Sequence, residues 1–104
     1  GVAYKRDIDD YRESPAINII NQLEDMGADV SYHDPFVPSF VEEGRERVGV
    51  GNLDGLADYD VTLIITDHTC FDWDDICSRS KLVVDTRNAT KAVRATYADK
   101  ICLL

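Results

Sequence analysis

Three cations, Lys5, Arg6 and Arg12, stand immediately ahead of Ser14-Pro15. Serine followed by proline reads as a helix N-cap with proline at the first helical position, where its missing N–H and fixed φ are accommodated. The start of a helix presents unpaired N–H groups at the positive end of its dipole, so cations beside it form phosphate-binding chemistry. A further cation, Arg87, follows an apolar run. Its planar fork suits bidentate contact with a phosphate or a base edge, whereas Lys5 would act as a point charge. The plainer alternative for Lys5 and Arg87 is a surface ion pair to Asp9, Asp10 or Asp85, an arrangement that is common and contributes little.

Other reactive side chains are weaker candidates. His33, Asp34, Asp67, His68 and Cys70 are all types that ligate zinc, but the H-x-C spacing fits no usual structural zinc pattern, and no metal site is expected. The cysteines Cys70, Cys77 and Cys102 are odd in number and show no C-x-x-C spacing, which points to reduced, structural thiols. Asp67 closes an apolar run and could serve as the phosphoacceptor of a receiver-like signalling domain. Against that, Asp9 and Asp10 come several residues after the first apolar segment, and Arg87 stands where such a domain would carry lysine. The pattern leaves it as an alternative.

The elements that would position these groups follow from periodicity. Val2-Ala3-Tyr4 reads as a strand end, and Ala16, Ile19, Ile20 and Leu23 repeat with helical spacing behind the Ser14 cap, with Gly27 as the residue just past the helix. Ala28 to His33 reads as a strand ended by Asp34-Pro35. Phe36 to Asn52 reads as mostly loop with one short helical turn or strand, and Phe36 and Phe40 in it are expected to pack on another domain. A short helix is expected over Leu53 to Asp58. Asp60 to Thr66 is a β-branched run suited to a central strand buried on both faces, followed by a helix over Phe71 to Arg79. Lys81 to Asp85 is a second buried strand, and Ile101 to Leu104 an edge strand. Strands alternating with helices imply an α/β fold, a Rossmann-like three-layer sandwich with a mostly parallel sheet. In such folds ligands lie beyond the carboxyl ends of the strands, here Tyr4-Lys5, Asp34, Asp67-His68 and Asp85 to Asn88.

Size and charge narrow the function. The 104 residues carry a formal charge of −9, which disfavours nucleic acid and anionic membrane surfaces. No apolar run approaches the ~18 residues of a membrane span. Residues 1–104 are expected to be one domain, cytoplasmic, and part of a longer chain, since the sequence opens mid-strand without Met.

The stretches GVAYKRDIDDYRESPA (Gly1 to Ala16), SYHDPFVP (Ser31 to Pro38), Asp67-His68 and VDTRNA (Val84 to Ala89) resemble the C-terminal, UDP-binding domain of the UDP-glucose/GDP-mannose dehydrogenase family. Within it the closest likeness is to the bacterial UDP-N-acetylglucosamine 6-dehydrogenase branch. The resemblance implies UDP-sugar as ligand, with Lys5 at the UDP moiety, Arg87 nearby and Tyr4 lining the base or ribose pocket. It leaves Arg12 and Glu13 either as ligand contacts or as residues that fix the loop to the helix. It also implies an N-terminal NAD-binding domain and a central dimerisation domain as partners in the same polypeptide. The reaction it implies is a two-step oxidation of the sugar C6 hydroxyl to a carboxylate through a catalytic cysteine and two NAD. None of the three cysteines lies in a G-G-x-C motif and no G-x-G-x-x-G occurs, so no catalytic residue and no NAD site are expected here.

Overall fold

The computed structural model describes residues 1–104, which form two compact units, Gly1–Gly51 and Asn52–Leu104. The chain has an α/β, Rossmann-like fold with a parallel sheet in its second unit. Each unit is built around its own buried residues.

In the first unit, helix α1 (Pro15–Asp25) starts at the expected cap: Ser14 Oγ accepts the N–H of Ala16, 3.2 Å away, with Pro15 in the first turn. It ends as expected at Gly27, which adopts φ +96°. There the N–H of Ala28 reaches Leu23 O and the N–H of Gly27 reaches Glu24 O, both at 3.0 Å, the paired bonds of a Schellman stop. Ala16 and Ile20 face the core with Val2, Ala3, Tyr32, Val37 and Phe40. The rings of Tyr11 and Tyr32 each lie 5.3 Å from Phe40.

Phe36 to Asn52 holds more structure than the sequence predicts. Strands β1 (Ser39–Glu42) and β2 (Arg45–Val48) pair antiparallel, with Phe40 opposite Arg47 and Glu42 opposite Arg45. The two-residue turn Glu43-Gly44 has φ +50° and +75°, the sign at both central positions that suits the twist of a tight hairpin. Asn21 donates to Glu42 at 2.6 Å and Arg47 pairs with Glu24, tying the hairpin to α1. Phe40, expected to pack on another domain, is instead a core residue of this unit. Neither Val2–Tyr4 nor Ala28–His33 forms a strand. The N–H groups of Val2 and Ala3 are taken by one carboxylate oxygen, Asp34 Oδ2, at 2.7 and 3.0 Å, which substitutes for ladder partners.

In the second unit a single 3-10 turn over Leu56–Asp58 replaces the short helix expected from Leu53. Strands β3 (Thr62–Ile64), β4 (Val83–Asp85) and β5 (Ile101–Leu103) form a parallel sheet in that order. Ile64 is opposite Asp85, and Asp85 is opposite Leu103. The middle of this sheet is β4, not the β3 run expected there, and β3 has only Ile64 fully buried. Helix α2 (Trp73–Arg79) crosses over between β3 and β4, starting two residues later than expected because Asp72 caps it, accepting the N–H of Asp75 at 3.1 Å. Ile64, Cys77 and Val83 form the core, packed by Trp73, Ala89, Val93, Tyr97 and Ile101.

Candidate functional site

The loop after β4 is built around one carboxylate. Asp85 is fully buried, and its Oδ1 accepts the N–H groups of Arg87 (2.9 Å) and Ala89 (3.1 Å). Its Oδ2 accepts the N–H of Thr90 (2.8 Å) and the Thr90 hydroxyl (2.6 Å). Burial by itself would raise the Asp85 carboxyl; the Thr90 hydroxyl and the N–H groups of Thr90, Arg87 and Ala89 outweigh it and hold the group below its ordinary value. Arg94 closes the arrangement, with Nη2 donating to Asn88 Oδ1 (2.6 Å) and Thr90 Oγ1 (3.2 Å) and lying 3.5 Å from Asp85 Oδ2. Asn88 sits at φ +58°, a conformation asparagine adopts more readily than most residues.

This scaffold presents Arg87 to solvent. The side chain of Arg87 is 49% exposed, and its Nε lies 3.5 Å from Oδ1 of Asp67, a side chain only 8% exposed. The ion-pair partner of the Arg87 side chain is therefore Asp67 rather than Asp9, Asp10 or Asp85. The same two loops are joined at their base, where the N–H and hydroxyl of Thr86 donate to Ile64 O at 3.4 and 2.6 Å. His68, read from sequence as part of a polar rim, is fully buried with its ring 5.5 Å from that of Phe71, so it offers no surface to a ligand.

In the first unit Tyr4 and Lys5 are both exposed, and the Lys5 ammonium lies 5.6 Å from the centre of the Tyr4 ring. The loop after them is closed by the Tyr4 N–H, which donates to Asp10 O at 2.7 Å. Arg12 is engaged with Asp10, its Nε and Nη2 each 3.0 Å from one carboxylate oxygen and its N–H 3.0 Å from Oδ1. The Arg12 guanidinium lowers the Asp10 carboxyl to about 2. Of the two roles open for Arg12, this geometry is that of a residue fixing the loop. Asp34 likewise works internally: besides holding Val2 and Ala3, its Oδ1 accepts the N–H of Phe36 at 2.9 Å. An open cleft of about 730 Å³ lies at the start of α1 and includes Arg12, but Glu13, Glu42 and Glu43 also line it, a charge balance that disfavours a phosphate.

Sequence reasoning thus treats the strand-end acids as one rim, whereas Asp34 and Asp85 are internal acceptors that shape the loops. Thr90 and Arg94 escape it altogether. The available signal is an aspartate at a strand end followed by polar residues able to turn the chain back onto it, D-T-R-N-A-T. Cys77 is buried in the core and burial raises its thiol, which keeps it neutral.

A parallel β–α–β sheet whose strand-end loop fixes an exposed guanidinium defines a Rossmann-like domain suited to an anionic ligand. The family model of the UDP-glucose/GDP-mannose dehydrogenase family, UDP binding domain, matches residues 1–92. The chain belongs to that family and corresponds to its UDP binding domain. It is 35% identical over 97 residues to a UDP-N-acetyl-D-mannosamine dehydrogenase of Methanococcus maripaludis, covering 85% of this chain and 21% of that protein. It is 36% identical over 102 residues to a UDP-glucose 6-dehydrogenase of Rhizobium meliloti, covering 85% and 22%. A putative UDP-glucose 6-dehydrogenase of Bacillus subtilis is 28% identical over 109 residues, covering 98% and 25%. The chain spans about a fifth of the length of the curated relatives it matches. No solved structure matches it. The family membership disfavours the receiver-like alternative.

Proposed function

We propose that the chain holds the UDP part of a UDP-sugar as the C-terminal domain of an NAD-dependent nucleotide-sugar 6-dehydrogenase. The observation that carries this reading is the family match over residues 1–92, a span that includes Tyr4, Lys5, Arg12 and Arg87. In this reading Lys5 is a point charge on the diphosphate, Arg87 makes directional bonds to a phosphate or the nucleoside, and Tyr4 lines the base or ribose pocket. Arg12 keeps the loop in shape through Asp10.

The sugar is UDP-N-acetylglucosamine, UDP-N-acetylmannosamine or UDP-glucose, oxidised at C6 to the uronic acid in the cytoplasm as part of polysaccharide biosynthesis. The residues of this chain do not fit NAD. No G-x-G-x-x-G occurs, and the loop amides after β4 that could meet a pyrophosphate are filled by Asp85. NAD and the nucleophilic cysteine accordingly belong to the preceding domains, the dimer contact to a central one, and the 104 residues alone are expected to produce no NADH.

The test is a UDP titration of the chain followed by amide chemical shifts. Binding with micromolar-to-millimolar affinity, about −8 to −4 kcal/mol, is expected, with shifts at residues 2–5 and 85–88. Shifts confined elsewhere would overturn the site.

A further inference from the structure

The loops after β3 and β4 do more than meet at Ile64 O. The backbone of Arg87 is anchored to the end of β4, where its N–H donates to Asp85 Oδ1 at 2.9 Å. Its guanidinium is paired by charge from the other loop, with Nε 3.5 Å from Oδ1 of Asp67 after β3, an ion pair without a hydrogen bond. Both carboxylates are at least nine-tenths buried, so neither competes with water for its hold on Arg87. With this ion pair on its Nε side, the guanidinium keeps the four N–H donors of Nη1 and Nη2, a planar pair suited to one phosphate group.

We propose that Asp67 is a positioning residue for Arg87: it fixes the guanidinium before ligand arrives, so that its Nη edge meets the UDP phosphates without first being ordered. This rests on the reading of Arg87 as a UDP contact. A half-exposed arginine loses much rotamer freedom when it is immobilised in an interface, and prior fixation removes that loss. The opposing effect is repulsion between the Asp67 carboxylate and the phosphates. Asp67 lies on the Nε side, with the positive guanidinium to screen it, so fixation outweighs repulsion and the net effect of Asp67 on UDP binding is favourable.

The experiment is a double-mutant cycle in the complete natural polypeptide that carries this chain, with UDP as the titrant in calorimetry. Arg87→Ala is expected to weaken UDP by tenfold or more. Asp67→Asn, which keeps the shape and removes the charge, is expected to weaken it about three- to tenfold. Once Arg87 is alanine, adding Asp67→Asn should have no further effect, because its benefit passes entirely through that side chain. Asp67→Glu retains the charge but moves the carboxylate, and serves as the second variant if Asp67→Asn does not fold; a smaller loss, again absent in the Arg87→Ala background, is expected. If Arg87→Ala leaves UDP affinity intact, Arg87 is not a contact and the functional reading of the site fails. If Arg87→Ala weakens binding while Asp67→Asn leaves it unchanged or tightens it, the positioning role is overturned. Losses that simply add in the double variant overturn it too, since they would mark Asp67 as merely structural.

Discussion

Replacing Asp85 with asparagine tests whether one carboxylate organises the loop that carries Arg87. The side chain is fully buried and receives four hydrogen bonds at 2.6–3.1 Å, two on each oxygen, with the Arg94 guanidinium 3.5 Å away. Asparagine matches the shape, but its NH₂ group must replace one of the two oxygens. Turned one way, the NH₂ group faces the N–H groups of Arg87 and Ala89; turned the other, it faces the N–H of Thr90, while the Thr90 hydroxyl can rotate to accept from it. Each charge-assisted bond contributes about 1.5–3 kcal/mol, and a buried donor left without a partner costs about 1–3 kcal/mol. Relaxation of a surface loop recovers part of this, so a loss of about 3–5 kcal/mol is expected, the range for breaking a buried charged interaction. That is a large share of the roughly 5–15 kcal/mol that stabilises a small domain. Trp73 is the only tryptophan and packs against Ile64, Cys77 and Val83, so its fluorescence during urea unfolding reports on this unit. Asp85→Asn should lower the midpoint strongly and expose the amides of residues 87, 89 and 90 to exchange. A change below about 1 kcal/mol, with those amides still protected, would refute the reasoning.

The sign of the pH effect at Asp85 is fixed by its lowered value in the folded state: its stabilisation is full above the ordinary aspartate range near pH ~3.9 and is lost as the pH falls through the lower folded value. Acid titrations of stability should therefore be flatter for Asp85→Asn than for the parent. Asp10 should titrate at about 2 by carbon NMR and return toward the ordinary range in Arg12→Gln, which tests Arg12 as the residue that fixes its loop. Phe40→Ala should destabilise the first unit by about 3–5 kcal/mol in chemical unfolding, since it removes the ring between Tyr11 and Tyr32. If the chain acts in a UDP-sugar dehydrogenase as proposed, Arg87→Lys in the complete polypeptide should cost roughly 1–3 kcal/mol of UDP-sugar binding, seen as a higher KM with kcat little changed, whereas Lys5→Arg should retain part of the binding.

Much of the fold was legible because local chemistry and tertiary packing agree. Ser14-Pro15 and Gly27 bracket α1 as their own backbone preferences demand, and the β-branched runs at Thr62 and Val83 are strands in a parallel sheet. The hairpin was not legible. Arg45 to Val48 is mostly charged and pairs with only four residues, and its turn puts glutamate rather than asparagine or glycine at the first left-handed position. What holds it is tertiary, Arg47 on Glu24 and Asn21 on Glu42, partners more than twenty residues apart. Val2 and Ala3 fail as a strand for a related reason. Their pattern is that of a buried strand, but the acceptor that satisfies them is the side chain of Asp34, and a carboxylate acting in place of a ladder leaves no periodic trace.

The same substitution of side chain for backbone explains how so acidic a chain can expose cations beside its strand-end acids. With a formal charge of −9, acids placed at the strand ends would be expected to repel a diphosphate. In each unit those acids are turned inward. Asp34 spends its charge on the N–H groups of Val2, Ala3 and Phe36, Asp85 on those of Arg87, Ala89 and Thr90, and Asp67 meets Arg87. Their field is met at short range by amide dipoles and a guanidinium, while Lys5 and Arg87 stay exposed. The two properties are linked through the backbone, because the N–H groups that neutralise Asp85 include that of Arg87 itself. A strand-end aspartate here is thus part of the cation's support, and neutralising it should weaken anion binding even though it removes a negative charge.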